Sequence, residues 1–140
     1  MQLILPFPPS MNGYWRSPGK GAKISERGRI YRTNAIGAVY EQLRRRPQAL
    51  QQDVQVKIIL FPPNRAKRDL DNFFKAIFDS LTHAGVWVDD SQIKRIFAEW
   101  GPVTKLGRAE LTITDFEPAG VQPVAGLWPD DQRKKQENAA

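Results

Sequence analysis

Residues 65–90 read RAKRDLDNFFKAIFDSLTHAGVWVDD, and the period of their apolar side chains decides how the rest of the chain is arranged. Phe74, Ile77, Phe78 and Leu81 recur at i, i+3, i+4 and i+7, which marks one buried face of an amphipathic helix. Gly85 suits the left-handed residue that ends such a helix, and Asp69 or Asp71 suits its start. Upstream, Val54–Phe61 (VQVKIILF) is rich in β-branched residues and opens with strict alternation, the pattern of a sheet strand, and Pro62-Pro63-Asn64 stops it. A strand therefore delivers a basic loop, Arg65-Ala66-Lys67-Arg68, into the helix. A short apolar step, Val86-Trp87-Val88, then leads to a second acidic pair, Asp89-Asp90.

Outward from this unit, Leu3 to Leu5 predicts a first strand, stopped by Pro6 and Pro8-Pro9. Ser10 to Lys23 mixes Gly, Pro and Asn with Tyr14, Trp15, Arg16, Lys20 and Lys23; it reads as an ordered loop pinned by core aromatics, or as one presenting aromatic faces and cations to nucleic acid. Ser25 is placed to cap a helix running to about Arg45, with Ile36, Val39, Tyr40 and Leu43 on its buried face. Arg44-Arg45-Arg46 suits the negative end of that helix, and Pro47 closes it. Ile93 to Trp100 and Arg108 to Phe116 predict two strands, and the intervening GPVTKLG suggests an antiparallel hairpin. The expected fold is α+β, a single domain with a mixed sheet and two main helices packed on it. Residues 1–117 form the domain, and 118–140, poor in apolar periodicity, read as a largely disordered tail.

The chain has 140 residues, long enough for one core, and no cysteine, which excludes disulfides, thiolate metal sites and a cysteine nucleophile. A reducing cytoplasm is the compartment this suggests. No apolar run is long enough for a membrane span, and MQLILPFPPS lacks the basic lead of a signal peptide. Lys and Arg total 21 against 15 Asp and Glu, a net charge of +6. Asp130, Asp131 and Glu137 cancel Arg133, Lys134 and Lys135 in the tail, so the excess belongs to the domain and favours an anionic partner.

Asp69, Asp71 and the Asp89-Asp90 pair are hard oxygen donors of the kind Mg²⁺ takes, one to three at a time, beside water and phosphate. Such an ion polarises a phosphodiester and activates water, and an ammonium such as Lys75 steadies the charge that builds on phosphorus. On ideal helical geometry Lys75 lies about 40° round from Asp71 and one turn on. Arg65, Lys67 and Arg68 would offset the repulsion between these carboxylates and a polyanion. The plainer alternative is also open: an aspartate N-cap and an ordinary i, i+4 ion pair. With His83 the sole histidine, a zinc site is not expected, and His83 reads as a partner for the helix C-terminus.

Four segments together, LPFPPSMNGYWR (5–16), RDLDNFFKAIFDSLTHAG (68–85), VWVDDSQI (86–93) and PVTKLGRAELTIT (102–114), resemble the RusA family of Holliday-junction resolvases. The match runs in order from about Leu3 to Phe116. The resemblance implies a homodimeric, Mg²⁺-dependent endonuclease, with Mn²⁺ as a substitute, that nicks opposed strands of a four-way DNA junction symmetrically in recombination and repair. It implies no nucleotide cofactor and no membrane, and a bacterial or prophage setting. Carried over residue by residue, the metal ligands fall on Asp69, Asp71 and Asp90, the catalytic lysine on Lys75, with Asp89 adjacent. Phe73 matches a family aromatic near the site, expected at the dimer or the junction. Arg16, Lys20, Lys23, Arg65, Lys67 and Arg68 complete the expected DNA contacts. Ser-Met-Asn-Gly departs from the Ser-Asn-Asn that relatives tend to have at the first loop. A non-catalytic nucleic-acid binder with the aspartates as caps is the rival reading.

Overall fold

The computed structural model describes residues 1–16 and 23–120. Lys20 and all but the first residues of the 118–140 tail lie outside the described residues. In chain order the elements are β1 (Gln2–Leu5), α1 (Met11–Tyr14), β2 (Trp15–Arg16), β3 (Lys23–Ile24), α2 (Glu26–Leu43), β4 (Val54–Phe61), α3 (Phe74–Ala84), β5 (Ile93–Trp100) and β6 (Arg108–Asp115). Two 3-10 turns, Leu70–Phe73 and Asp90–Gln92, precede α3 and β5.

Alternation places Val54, Val56, Ile58 and Leu60 on one face of β4, all buried, and Leu3, Leu5, Ala109, Leu111 and Ile113 join them from β1 and β6. Helices α2 and α3 pack on that face, so the domain has two layers and, among the described residues, nothing covers the other face of its sheet. The sheet order is β1-β6-β4-β5, with β4 and β5 parallel and β6 antiparallel to β4. The mixed sheet and its two main helices match the expected fold class.

The expected β5–β6 hairpin does not form: the two strands are adjacent in sequence, but β4 lies between them. Burial explains the insertion. Strand β4 is apolar enough to need a neighbour on each side, whereas β5 carries Lys94, Arg95 and Glu99 and leaves Ile96 and Phe97 exposed, the profile of an edge. The 101–107 connection crosses the end of β4 instead, tied by Gly101 N to Leu60 O (2.8 Å) and Thr104 N to Pro62 O (2.9 Å).

The buried stripe of α2 is Gly28, Tyr31, Ala35 and Val39, with Ile36, Tyr40 and Leu43 only half-buried, so the face is rotated from the expected one. Small residues allow the close approach. Ser25 caps the helix as expected, accepting from Gly28 N at 2.9 Å and donating to Gly13 O at 2.7 Å. A Cβ on Gly28 would sit 2.5 Å from Tyr14 O and 2.8 Å from Ile24 Cγ1. That carbonyl is fixed by Ser25, so Gly28→Ala should lower unfolding free energy by about 1–3 kcal/mol, more than helix propensity returns. Gly37→Ala, with nothing within 4 Å, should gain about 0.5–1 kcal/mol, both changes being read from urea titrations. Equal responses at the two positions would refute the packing argument.

Candidate active site

Strand β4 ends at Phe61, and its C-terminal end opens into the loop that carries the cations and carboxylates. Arg68 closes that loop on itself. Its Nη1 donates to Asn64 O (3.2 Å) and Ala66 O (3.1 Å), its Nη2 to Asn64 Oδ1 (2.8 Å), and the guanidinium lies 5.5 Å from the Phe7 ring centre. Arg68 therefore shapes the loop, and among the described residues Arg65 and Lys67 are its exposed, unpaired cations. Arg16 and Lys23 face each other across the short β2–β3 pair, both exposed.

Asp69 is extended (φ −90°, ψ 122°) at the cap position of the 3-10 turn, yet its side chain makes no capping hydrogen bond. Asp71 lies exposed inside the turn. Among the described residues neither carboxylate has a hydrogen-bond or ion-pair partner, so the plain capping explanation fails for both. The i, i+4 Asp71–Lys75 ion pair of that plainer alternative is likewise absent among the described residues. Leu70–Phe73 is a tighter 3-10 turn and α3 begins at Phe74, so α-helical spacing does not run from Asp71 to Lys75.

Lys75 instead pairs with Asp90, Nζ to Oδ2 3.6 Å. The two acidic segments are joined here. Asp89 takes the structural role: it accepts from Ser91 N at 3.1 Å and completes a capping box with Gln92. Its pKa is lowered chiefly by the Ser91 hydroxyl and then by the Ser91 backbone N–H, with Lys75 a smaller influence. Gln92, which sequence patterning did not single out, clamps the turn. Its Oε1 accepts from Val88 N and Asp89 N (2.9 Å each), and its Nε2 donates to Leu50 O and Gln52 O (2.8 Å each). Asp90 is thereby held at Lys75 while its neighbour is used as a cap.

Phe73 is buried, only 6% exposed, and packs on Phe7 (5.5 Å) and Trp100 (5.7 Å). This corrects the expectation of a contact aromatic: Phe73 anchors the acidic turn to the end of the sheet. His83 stands 3.8 Å from Asp79 on α3 rather than acting only on the helix end.

A cavity of about 390 Å³ opens beside the turn, lined by Lys67, Arg68, Asp69, Asn72, Ser10 and Arg27 among others. Arg27 carries no local signal, since it lies on the first turn of α2, far from the loop in sequence. Among the described residues no three acidic or histidine side chains converge closely enough to form a ready-made metal cage. The donor chemistry nevertheless fits a hard divalent cation: among the described residues Asp69 and Asp71 have no competing partner, and Asp90 is engaged only by Lys75. No helix among the described residues is long and apolar enough to cross a membrane.

The family model described as endodeoxyribonuclease RusA matches residues 6–114, which include every candidate residue from Arg16 to Asp90. The crossover junction endodeoxyribonuclease RusA of Shigella sonnei (strain Ss046) is 42% identical over 114 residues, 81% of this chain and 93% of the relative. The protein of the same name from Escherichia coli (strain K12) is 41% identical, and that of Enterobacteria phage 82 is 42% identical, over the same shares.

Proposed function

The chain belongs to the RusA family of endodeoxyribonucleases, and from that membership we propose that it resolves four-way DNA junctions by hydrolysing one phosphodiester in each of two opposed strands. The observation that carries this reading is the pair of uncapped carboxylates, Asp69 and Asp71, on a turn that follows a basic loop and adjoins Lys75 and Asp90.

Asp69, Asp71 and Asp90 would hold Mg²⁺, or Mn²⁺ in its place, and the ion when bound polarises the phosphate and lowers the pKa of water. The chain's own groups do the rest. Lys67 and Arg27 draw phosphates into the cavity beside Asp69, positioning the strand without reading its sequence. Lys75 presents a compact ammonium beside Asp90 and stabilises the extra negative charge on phosphorus as water adds and the 3′ oxygen leaves. The P–O3′ bond breaks, the water oxygen stays on the 5′ phosphate, and its proton passes to the leaving oxygen and solvent. Such nicks are ligatable.

Symmetric nicking needs two sites in one particle. The uncovered sheet face, with Ile4 52% and Phe97 55% exposed, supports a second copy docking there to form a homodimer. The surplus of cations in the domain supports the junction as the anionic partner.

The test is a synthetic four-way junction labelled on each strand in turn. With Mg²⁺, nicks should fall at paired, symmetric positions, with linear duplex of the same sequence cut far more slowly. Tight binding without cutting in either Mg²⁺ or Mn²⁺ would instead indicate the non-catalytic binder.

A further inference from the structure

A second, smaller cavity of about 220 Å³ lies on the other side of Arg68 from the cationic one, lined by Pro62, Asn64, Arg65, Arg68, Trp100 and Val103. It sits where the parallel strands β4 and β5 both end, the position at which open α/β sheets carry ligands. Nothing in the hydrolysis described above uses it. Its chemistry is specific. One wall is an indole, held in place by Phe7 (6.4 Å, stacked) and Phe73 (5.7 Å, edge-on), with Pro62 and Val103 completing an apolar slot. Its polar side chains are donors: Arg65 has only N–H groups, and Asn64 spends its Oδ1 on Ala66 N (3.0 Å) and Arg68 Nη2 (2.8 Å), leaving its amide N–H₂.

We propose that this cavity holds a single nucleobase unstacked from the junction next to the scissile phosphate, gripped against Trp100 and read through its acceptor atoms by Asn64 and Arg65. The proposal rests on the junction-cleaving reading and adds to it a base-recognition site. An aromatic wall beside a cation-lined cavity is what one nucleotide needs, base on one side of Arg68 and phosphate on the other. A flexible four-way crossover lowers the cost of taking a base out of the stack. A slot whose polar side chains are donors favours a base edge rich in acceptors over one that presents an exocyclic amino group. The site also reports to the carboxylates, because Phe73 belongs to the same turn as Asp71 and touches Trp100.

The experiment is an abasic scan. A single tetrahydrofuran nucleotide is stepped through the positions flanking the crossover, and binding by the full chain is measured in Ca²⁺ by gel shift, with nicking measured in parallel in Mg²⁺. Wild type should lose on the order of tenfold in affinity at one position within a nucleotide or two of the nick. Trp100→Leu should show that loss on the intact junction and no further loss on the abasic one. Because Trp100 also packs in the aromatic cluster, Val103→Asp, on an exposed loop residue, provides the second arm and should abolish the same position dependence. A flat scan in wild type with nicking retained, or an undiminished dip in both variants, overturns the base site alone. Failure to prefer or nick the junction at all overturns the underlying function as well.

Discussion

Asp71→Asn should bind the four-way junction at least as tightly as wild type in the presence of a chelator and nick it at least about 100-fold more slowly in Mg²⁺. The two halves of this expectation have separate causes. Binding depends on cations and on the shape of the cavity, and Asp71 contributes to neither; removing its negative charge from the path of a polyanion can only reduce repulsion. Cutting depends on carboxylate oxygens free to take an ion, and an amide supplies one neutral oxygen in place of two charged ones. Folding should be unaffected to within about 0.5 kcal/mol, since Asp71 is exposed and neither of its carboxylate oxygens is hydrogen-bonded among the described residues. Asp89→Asn is the matched comparison. Asn is as good a cap as Asp, so the turn that holds Asp90 survives and nicking should stay within a few-fold of wild type. If Asp89→Asn were as slow as Asp71→Asn, the division of labour between the two adjacent aspartates would be wrong; if Asp71→Asn nicked at the wild-type rate, the uncapped turn would not be the catalytic one.

That division was invisible in the sequence, and the reason is physical. The strong local signals are legible: the alternation in β4, the helical period of α3 and the left-handed Gly85 (φ 83°) are set by burial of nearby residues and show in any short window. Geometry that depends on how two segments meet does not. Asp89 and Asp90 are chemically identical, and only the clamp of Gln92 onto the Leu50–Gln52 segment decides which becomes the cap and which faces Lys75. The α-helical spacing that would pair Asp71 with Lys75 does not apply to a segment that opens as a 3-10 turn. Phe73 fell outside the helical stripe for the same reason, although a buried aromatic in a turn next to carboxylates is sensible packing. The sheet order depended on which strand could tolerate an edge, a comparison across the whole chain. Arg27 joined the site only because α2 crosses above the loop.

Asp79→Ala should cost about 2–4 kcal/mol in unfolding free energy at neutral pH, a larger loss than substituting either carboxylate of the acidic turn, Asp69 or Asp71. Asp79 lies on the exposed-looking side of α3 in sequence, yet it is the acceptor that joins three elements. The Tyr14 hydroxyl donates to its Oδ2, Arg32 Nη2 donates to the same oxygen at 2.7 Å, and Arg32 also donates to the Tyr14 oxygen through Nε (3.3 Å) and Nη2 (3.1 Å). Alanine leaves a fully buried tyrosine hydroxyl and a largely sheltered guanidinium without their anion. The pH dependence identifies the mechanism. Burial would raise the Asp79 pKa, but the hydrogen bonds from Tyr14 and Arg32 and the charges of Arg32 and His83 outweigh it and hold the carboxyl below its ordinary range. A carboxyl depressed in the folded state stabilises fully above its unfolded pKa, near 3.9, and loses that contribution as pH falls through the folded value. Tyr14 bounds the other side: burial first, then the bond to Asp79, push its pKa up to about 12. A raised phenol is fully stabilising below about pH 10 and progressively less so as pH climbs through the folded value. Urea titrations across pH should therefore give wild type a stability plateau that falls away at both ends. Asp79→Ala should lose the acid limb while keeping part of the alkaline one, because burial of Tyr14 remains. A variant curve parallel to wild type at every pH would mean that the loss comes from helix packing and not from the shared carboxylate.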